Sequence, residues 1–268
     1  MKPASRAMID ALKSQFFELA DVVDAQEFYH SRGWTDGFPI VPPTPEDVQA
    51  CLNWVNMPAS EIIGIEPVRE QVISYEKLAI NAVMAGCLPA HFSVVVSAWM
   101  AMLKDEFLLH GTTASTGGCT ILIILNGSIT QEIGARSDFN VLGSSDRAAS
   151  VIGRAIRLAL INILQVSPGA IDRPTLGHPG KISYCVAEDE TGSDWSSLAE
   201  SRDIPKEASS VTVLAAGAPR QIMNEWTSKP EEILDTYAAE MRANMRNYSI
   251  WSGNYVVIMA PQHREHMR

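Results

Sequence analysis

The chain has 268 residues, of which 46% are apolar and 19% charged, and its formal net charge is −10. That acidity argues against a general nucleic-acid binder, which needs a basic face, while leaving room for a local cationic pocket that takes a small anion. No run of about 18 apolar residues free of charge occurs, so no membrane-spanning helix is expected.

In chain order, residues 5–20 place Met8, Ile9, Leu12, Phe16 and Leu19 at helical spacing, which predicts an amphipathic helix. Acids interrupt this region, so it lacks the apolar core of a secretory signal. Cys51, Cys87, Cys119 and Cys185 are widely spaced, with no CxxC pair and no zinc-ribbon spacing. Reduced thiols and a cytoplasmic location are the expectation. GWTDGFPIVPPTP, residues 33–45, is a stiff loop in which Asp36 is a candidate polar site residue. Thr44 then caps a helix starting at Pro45, with Glu46 and Asp47 in its first turn. Residues 61–65 suit a short strand.

Tyr75 to Leu103 reads as two helices with a tight break. Gly86 stands where a left-handed helix stop is needed, and Pro89 where a new helix begins. Cys87 lies between them, near unpaired N–H groups that carry partial positive charge. Such a position favours thiolate, the reactive form, which makes Cys87 the candidate nucleophile.

HGTTASTGG, residues 110–118, reads as a polar loop leading into the apolar strand CTILIILNG. Its exposed N–H groups and hydroxyls suit a carboxylate or phosphate, so Thr112, Thr113, Ser115, Thr116, Gly117, Gly118 and Cys119 are candidate ligand-binding residues. No Lys follows the glycines, so this is not a Walker-type phosphate loop. A helix is predicted from about Asp146 to Leu164, capped by Ser144 or Ser145. Arg147 stands at its dipolar end and Arg154 on nearly the same face, another place for an anion; Arg157 follows three residues later. GHPGKISYC brings together His178, Lys181 and Cys185, and His178 has the chemistry of a general acid or base.

The second half is richer in strand signals, at 182–187, 211–216 and 255–260, with a helix over about 230–246. The fold class expected is α/β or α+β, a mixed buried sheet flanked by helices in a single domain over 1–268, with a weak boundary near 166–180. The GxGxxG and GxSxG fingerprints are absent, which removes support for a Rossmann cofactor site and an α/β-hydrolase mechanism. No metal site and no cofactor are expected. His263 and His266 are spaced i, i+3 near the C-terminus without further ordered ligands, and a metal-dependent hydrolase on His91, His110 or His178 is a lesser alternative.

DGFPIVPPTPEDV, AINAVMAGCLPAHF, TTASTGGCTILIILNG, LGSSDRAASVIGRAIRLALIN and GHPGKISYCVAEDE together resemble a bacterial family associated with Sec/Cys-Gly-Ser-Cys (UGSC-type) thiol and selenol redox proteins. The resemblance covers roughly residues 33–190 and the end of the 255–263 segment. It implies that Cys87, Asn81, Thr116, Gly117, Gly118, Asn126, Arg147, Arg154 and Gly180 are family positions. It also implies that His263 in APQH matches the histidine of a proline-acid-histidine turn, with Gln262 in place of the acid. The Sec/Cys-Gly-Ser-Cys motif itself is missing.

Together these features lead us to expect a cysteine-dependent enzyme acting on a small anionic metabolite by thiol redox chemistry. Cys87 would be the thiol, His178 or His263 the proton carrier, and the remaining candidates, Ser145 among them, the anion site. A lyase or hydrolase cleaving a C–X bond, or a non-catalytic subunit of a thiol-enzyme complex, are the alternatives. A homo-oligomer is expected, with a small additional subunit as an extension of that idea.

Overall fold

Local signals set most helix ends. The computed structural model describes residues 12–143, 146–245 and 254–267. α1 (Val22–Ser31) starts at Asp21, whose carboxylate accepts from Val23 N and Asp24 N. α2 (Pro45–Trp54) starts at Thr44, whose hydroxyl accepts from Asp47 N, with Pro45 in the first turn. β1 (Ile62–Glu66) and β2 (Gln71–Ser74) form an antiparallel hairpin. α3 (Tyr75–Ala85) ends at Gly86 with φ of 95°, a left-handed conformation suited to glycine. α4 (Pro89–Met102) follows, with proline at its start.

The helix expected over 5–20 is not found where the structure describes it. Residues 12–20 are irregular, and residues 1–11 lie outside the described residues. The backbone N–H groups of Lys13 and Ser14 donate instead to the buried Glu76 carboxylate at 2.8–3.1 Å. A tertiary carboxylate has taken donors that a helix would use. Phe17 packs at 4.8 Å from Phe28, and Trp34 joins them.

α5 (Leu109–Thr113) is a short helical turn inside the segment expected to be loop. β3 (Thr120–Asn126) follows, then α6 (Ile129–Glu132) and the long α7 (Arg147–Asn162). Asp146, not a serine, caps α7, its Oδ1 accepting from Ala149 N at 2.7 Å; Ser144 and Ser145 lie outside the described residues. β4 (Cys185–Ala187) pairs parallel with β3, and β5 (Ser210–Ala216) pairs antiparallel on its other side. The class is therefore α+β, with helices, one hairpin and a mixed three-stranded sheet ordered β4-β3-β5.

β3 is buried on both faces, which explains its unbroken apolar run. Ile121, Ile123 and Leu125 face the main core with α3, α4 and α7, while Leu122 and Ile124 meet Tyr184, Val186 and Leu214 on the other face. α3 packs along α7. Asn162 Nδ2 bridges them through Asn81 Oδ1 at 2.7 Å and also donates to Trp34 O.

The chain divides into two units. The first holds the described residues up to Glu190 and Trp195–Ala218, and the second holds Thr191–Asp194 and Pro219 onward. The Pro/Gly-rich stretch 166–180 lies inside the first unit. The second unit contains α8 (Pro230–Met245) and α9 (Pro261–Glu265). Residues 255–260, expected as a strand, belong to no named strand, and Tyr255, Val256, Val257 and Ile258 are exposed. No described helix is long and apolar enough to cross a membrane.

Candidate functional site

The local grammar around Cys87 is as expected, but its chemistry is the reverse. Cys87 precedes the α4 cap, Leu88, and its N–H is spent on Ala82 O at 2.9 Å, closing α3. The side chain is buried and its Sγ lies 3.5 Å from Val151 O, to which the thiol donates. Burial pushes the thiol well above its ordinary pKa; nearby Cys51 adds to the rise, and the charge of Arg147 opposes it without prevailing. Desolvation of a sealed sulfur outweighs the dipole of a helix start. Cys51 is pushed up to about 12 by burial and then by Asp47, and burial raises Cys185 further still. An ionised thiolate at Cys87 is corrected accordingly.

Two other expected anion ligands are already engaged. Arg154 forms a two-pronged pair with Asp36, Nε to Oδ2 at 2.9 Å and Nη2 to Oδ1 at 2.8 Å, and also donates to Pro39 O. Burial works to raise the Asp36 carboxyl, but hydrogen bonds and charge from Arg154 outweigh it and hold the group below the usual carboxylate range. The pair pins the 36–39 loop onto α7. Arg147 donates through Nε and Nη2 to Gly86 O at 3.1 and 2.7 Å, capping the end of α3. Asn81 is buried in the α3–α7 bridge, and Asn126 is buried at the end of β3. Ser145 lies outside the described residues.

What the fold does gather is a cleft beside the start of β3. Two narrow recesses share Thr120, Ile121, Arg157, Leu160 and Lys181; one adds Thr112, Thr113, Cys119 and Asp172, the other Gly180 and Tyr184. Each has room for about one water molecule. Asp172 is buried between two cations, 2.6 Å from Lys181 Nζ and 3.2 Å from Arg157 Nη1. One carboxylate against two cations leaves this cluster with an excess positive charge. Cys119 is half-buried, the other three cysteines buried, and its thiol donates to Thr112 O at 3.5 Å.

His178 stands next to this cleft. Its Nδ1 accepts from Gly180 N at 3.2 Å, which puts the ring proton on Nε2. That nitrogen is buried without a hydrogen-bond partner, and the ring faces the backbone of Ala216 and Gly118. Burial, then the charge of Lys181, holds His178 below its ordinary pKa, so it is neutral near neutrality.

Of residues 112–118 only Thr112 and Thr113 line the cleft, as one wall with Cys119, and most polar groups of the segment bond locally. The Thr112 and Thr113 hydroxyls donate to Phe107 O and Leu109 O, and Ser115 Oγ accepts from Gly117 N at 2.9 Å. Thr116, Gly117 and Gly118 are exposed. Arg173 N donates to Ser115 O at 2.9 Å and ties this segment to the 166–181 stretch. His263 belongs to the second unit, where Nε2 is 3.0 Å from Asn224 O and Nδ1 3.2 Å from Tyr237 Oη. Both ring nitrogens are occupied, a pinning role rather than a free proton carrier.

His91 Nδ1 accepts from Leu88 N at 3.1 Å and serves the α4 cap, and His110 Nδ1 lies 4.0 Å from the buried Glu66 carboxylate. Among the described residues no three His, Cys, Asp or Glu side chains converge as metal ligands. The residue missed from sequence was Asp172, a lone acid in PGAIDRPT with no motif around it; its one available signal was the pair of cations, Arg157 and Lys181, already noted on either side. No protein-family model matches the chain, and no curated protein or solved structure is significantly similar to it.

Proposed function

We propose that the chain is a cysteine-dependent enzyme acting on a small anionic metabolite, with Cys119 in place of Cys87 as the working thiol. The observation that carries this reading is that Cys119 lines the same recess as Arg157 and Lys181. An acidic group of the metabolite would compete with Asp172 for these two cations, drawn by their excess charge. His178, beside the recess but not in its lining, is the proton donor of this reading, through the Nε2 proton once the ring turns from the backbone of Ala216 and Gly118. Thiol redox chemistry draws its support from the family resemblance, and cleavage of a C–X bond would use the same groups.

The test is alkylation of the folded protein with iodoacetamide at neutral pH, mapped by mass spectrometry. Cys119 should react first and be protected by phosphate or a small carboxylate, while Cys51, Cys87 and Cys185 stay unlabelled. Labelling of Cys119 that no anion slows, or faster labelling of Cys87, would refute the assignment.

A second reading, a non-catalytic subunit of a thiol-enzyme complex, is favoured by the small volume of the recesses and by Leu176, 95% exposed on the loop before His178. Turnover by the purified chain alone would count against it; activity that needs an added small thiol protein would support it.

A further inference from the structure

Among the described residues β5 is an outer strand of the three-stranded sheet, with β3 on one side and no strand on the other. The register fixes which of its groups face outward. Ile123 N donates to Tyr184 O, and Leu125 O accepts from Glu188 N, so the odd-numbered residues of β3 point their backbone groups toward β4. The even-numbered ones point toward β5, where they meet Ser210, Thr212, Leu214 and Ala216. The N–H and C=O groups of Val211, Val213 and Ala215 therefore point away from the sheet. Among the described residues none of these groups has a hydrogen-bond partner.

The second observation concerns what guards this edge. Strand edges are ordinarily blunted by Lys, Pro, a bulge or shortness, because an open edge recruits further strands. β5 has none of these devices. Ala208 to Ala218 holds no charged residue and no proline, and all seven residues of β5 pair with β3 without a register shift. The opposite outer strand, β4, is three residues long, and the separate β1–β2 hairpin carries a register shift. The one long edge is left unprotected in a sheet whose other edge is short.

We infer that β5 is a dimerisation edge whose occupant is β5 of a second copy of this chain. A strand edge in antiparallel pairing is complementary to itself about a two-fold axis. With that axis at Val213, Val213 faces the partner's Val213 and Val211 faces the partner's Ala215, so every outward N–H of each copy meets an outward C=O of the other. Thr212 comes opposite the partner's Leu214, and no like charges meet. Among the described strands no other outer edge is uncharged and of matching length. A seven-residue edge is about 24 Å long, and two of them paired bury roughly 500 Å², about half of what a stable interface needs. Met100 and Leu108 are exposed on α4 and beside the 105–107 turn, both of which pack against β5. This modest area gives a dimer that forms and dissociates in the micromolar range. The pairing also closes on itself: the joined sheet ends in the short β4 on both sides, so no further copy is recruited.

The experiment is sedimentation velocity of the full chain from about 1 to 500 μM, with amide hydrogen exchange read at both ends of that range. The expected result is a reversible dimer. Exchange at Val211, Val213 and Ala215 should slow about tenfold or more at the high concentration, while Thr212 and Leu214 stay slow throughout. Ala215→Pro removes an outward N–H without touching the β3 ladder and should raise the dissociation constant about tenfold or more. If that variant fails to fold, the exchange of the native chain decides alone. A monomer across the whole range, a dimer unaffected by Ala215→Pro, or exchange at the three amides that does not change with concentration overturns the assignment.

Discussion

Replacing Asp172 by asparagine removes the carboxylate that Lys181 and Arg157 share, while keeping its shape. Asp172 is buried, and the Lys181 and Arg157 side chains are 17% and 13% exposed. Breaking a buried ion pair from one side costs about 3–5 kcal/mol; residual solvent at both cations brings the expected loss here to about 2–3 kcal/mol. For a unit of this size that corresponds to about 5–10 °C in melting temperature. The two vacated cations then form a stronger anion site than in the native protein. Phosphate at ten times its dissociation constant would restore about 1.4 kcal/mol of the loss. The assay is a thermal melt of native protein and Asp172→Asn across a phosphate series, at constant ionic strength so that screening does not mimic binding. Melting equal to that of the native protein, or an equal phosphate response in both, would show that the cluster is not an anion site.

Three further outcomes follow from the same geometry. Gly153→Ala should destabilise by about 1–3 kcal/mol in urea unfolding, despite the better helix former, because its methyl would stand 2.7 Å from Tyr184 N and 3.0 Å from Ser183 Cα; a gain in stability would mean that the 183–184 backbone yields easily. Asp36→Asn should cost about 2–4 kcal/mol at pH 7 through the orphaned Arg154. Since the folded pKa of Asp36 is depressed, its contribution is full above the unfolded value near 3.9 and fades as pH falls through the folded value. The deficit between native and Asp36→Asn proteins should therefore shrink below about pH 4, and one that stays constant to pH 2 would count against the pairing. Cys87→Ala should lower stability by about 1–2 kcal/mol while leaving anion protection of Cys119 unchanged; loss of that protection would restore Cys87 to the site.

The helix ends were the most legible part of the chain, because their causes are local. Thr44, Gly86 and Pro89 act within a few residues, and each stands where its chemistry predicts. β3 was legible for a different reason, since burial on both faces leaves an uninterrupted apolar run. The failures share a cause that sequence spacing does not carry. Residues 12–20 are irregular where Glu76, more than 60 positions later, takes two of their backbone donors. Cys87 has the flanking residues of an activated thiol, but the packing of α3, α7 and β4 decides how much water reaches the sulfur. Arg154 looked free on its helix face until the 36–39 loop folded over it. Cys119 and Lys181 were both in view as residues, yet only the crossing of β3, α7 and the 166–181 stretch brings them into one recess.

The amide bridge between Asn81 and Asn162 has a consequence for how this protein can change through descent. The two side chains meet across α3 and α7, where Asn81 is buried and Asn162 half-buried. Loss of Asn162 leaves the Oδ1 of the buried Asn81 without its donor, and loss of Asn81 leaves Asn162 with Trp34 O alone, whereas a matched apolar pair would suit the same space. Lineages of this fold should therefore lose the two asparagines together or keep both, and the sliding of one helix past the other should be frozen for as long as they remain.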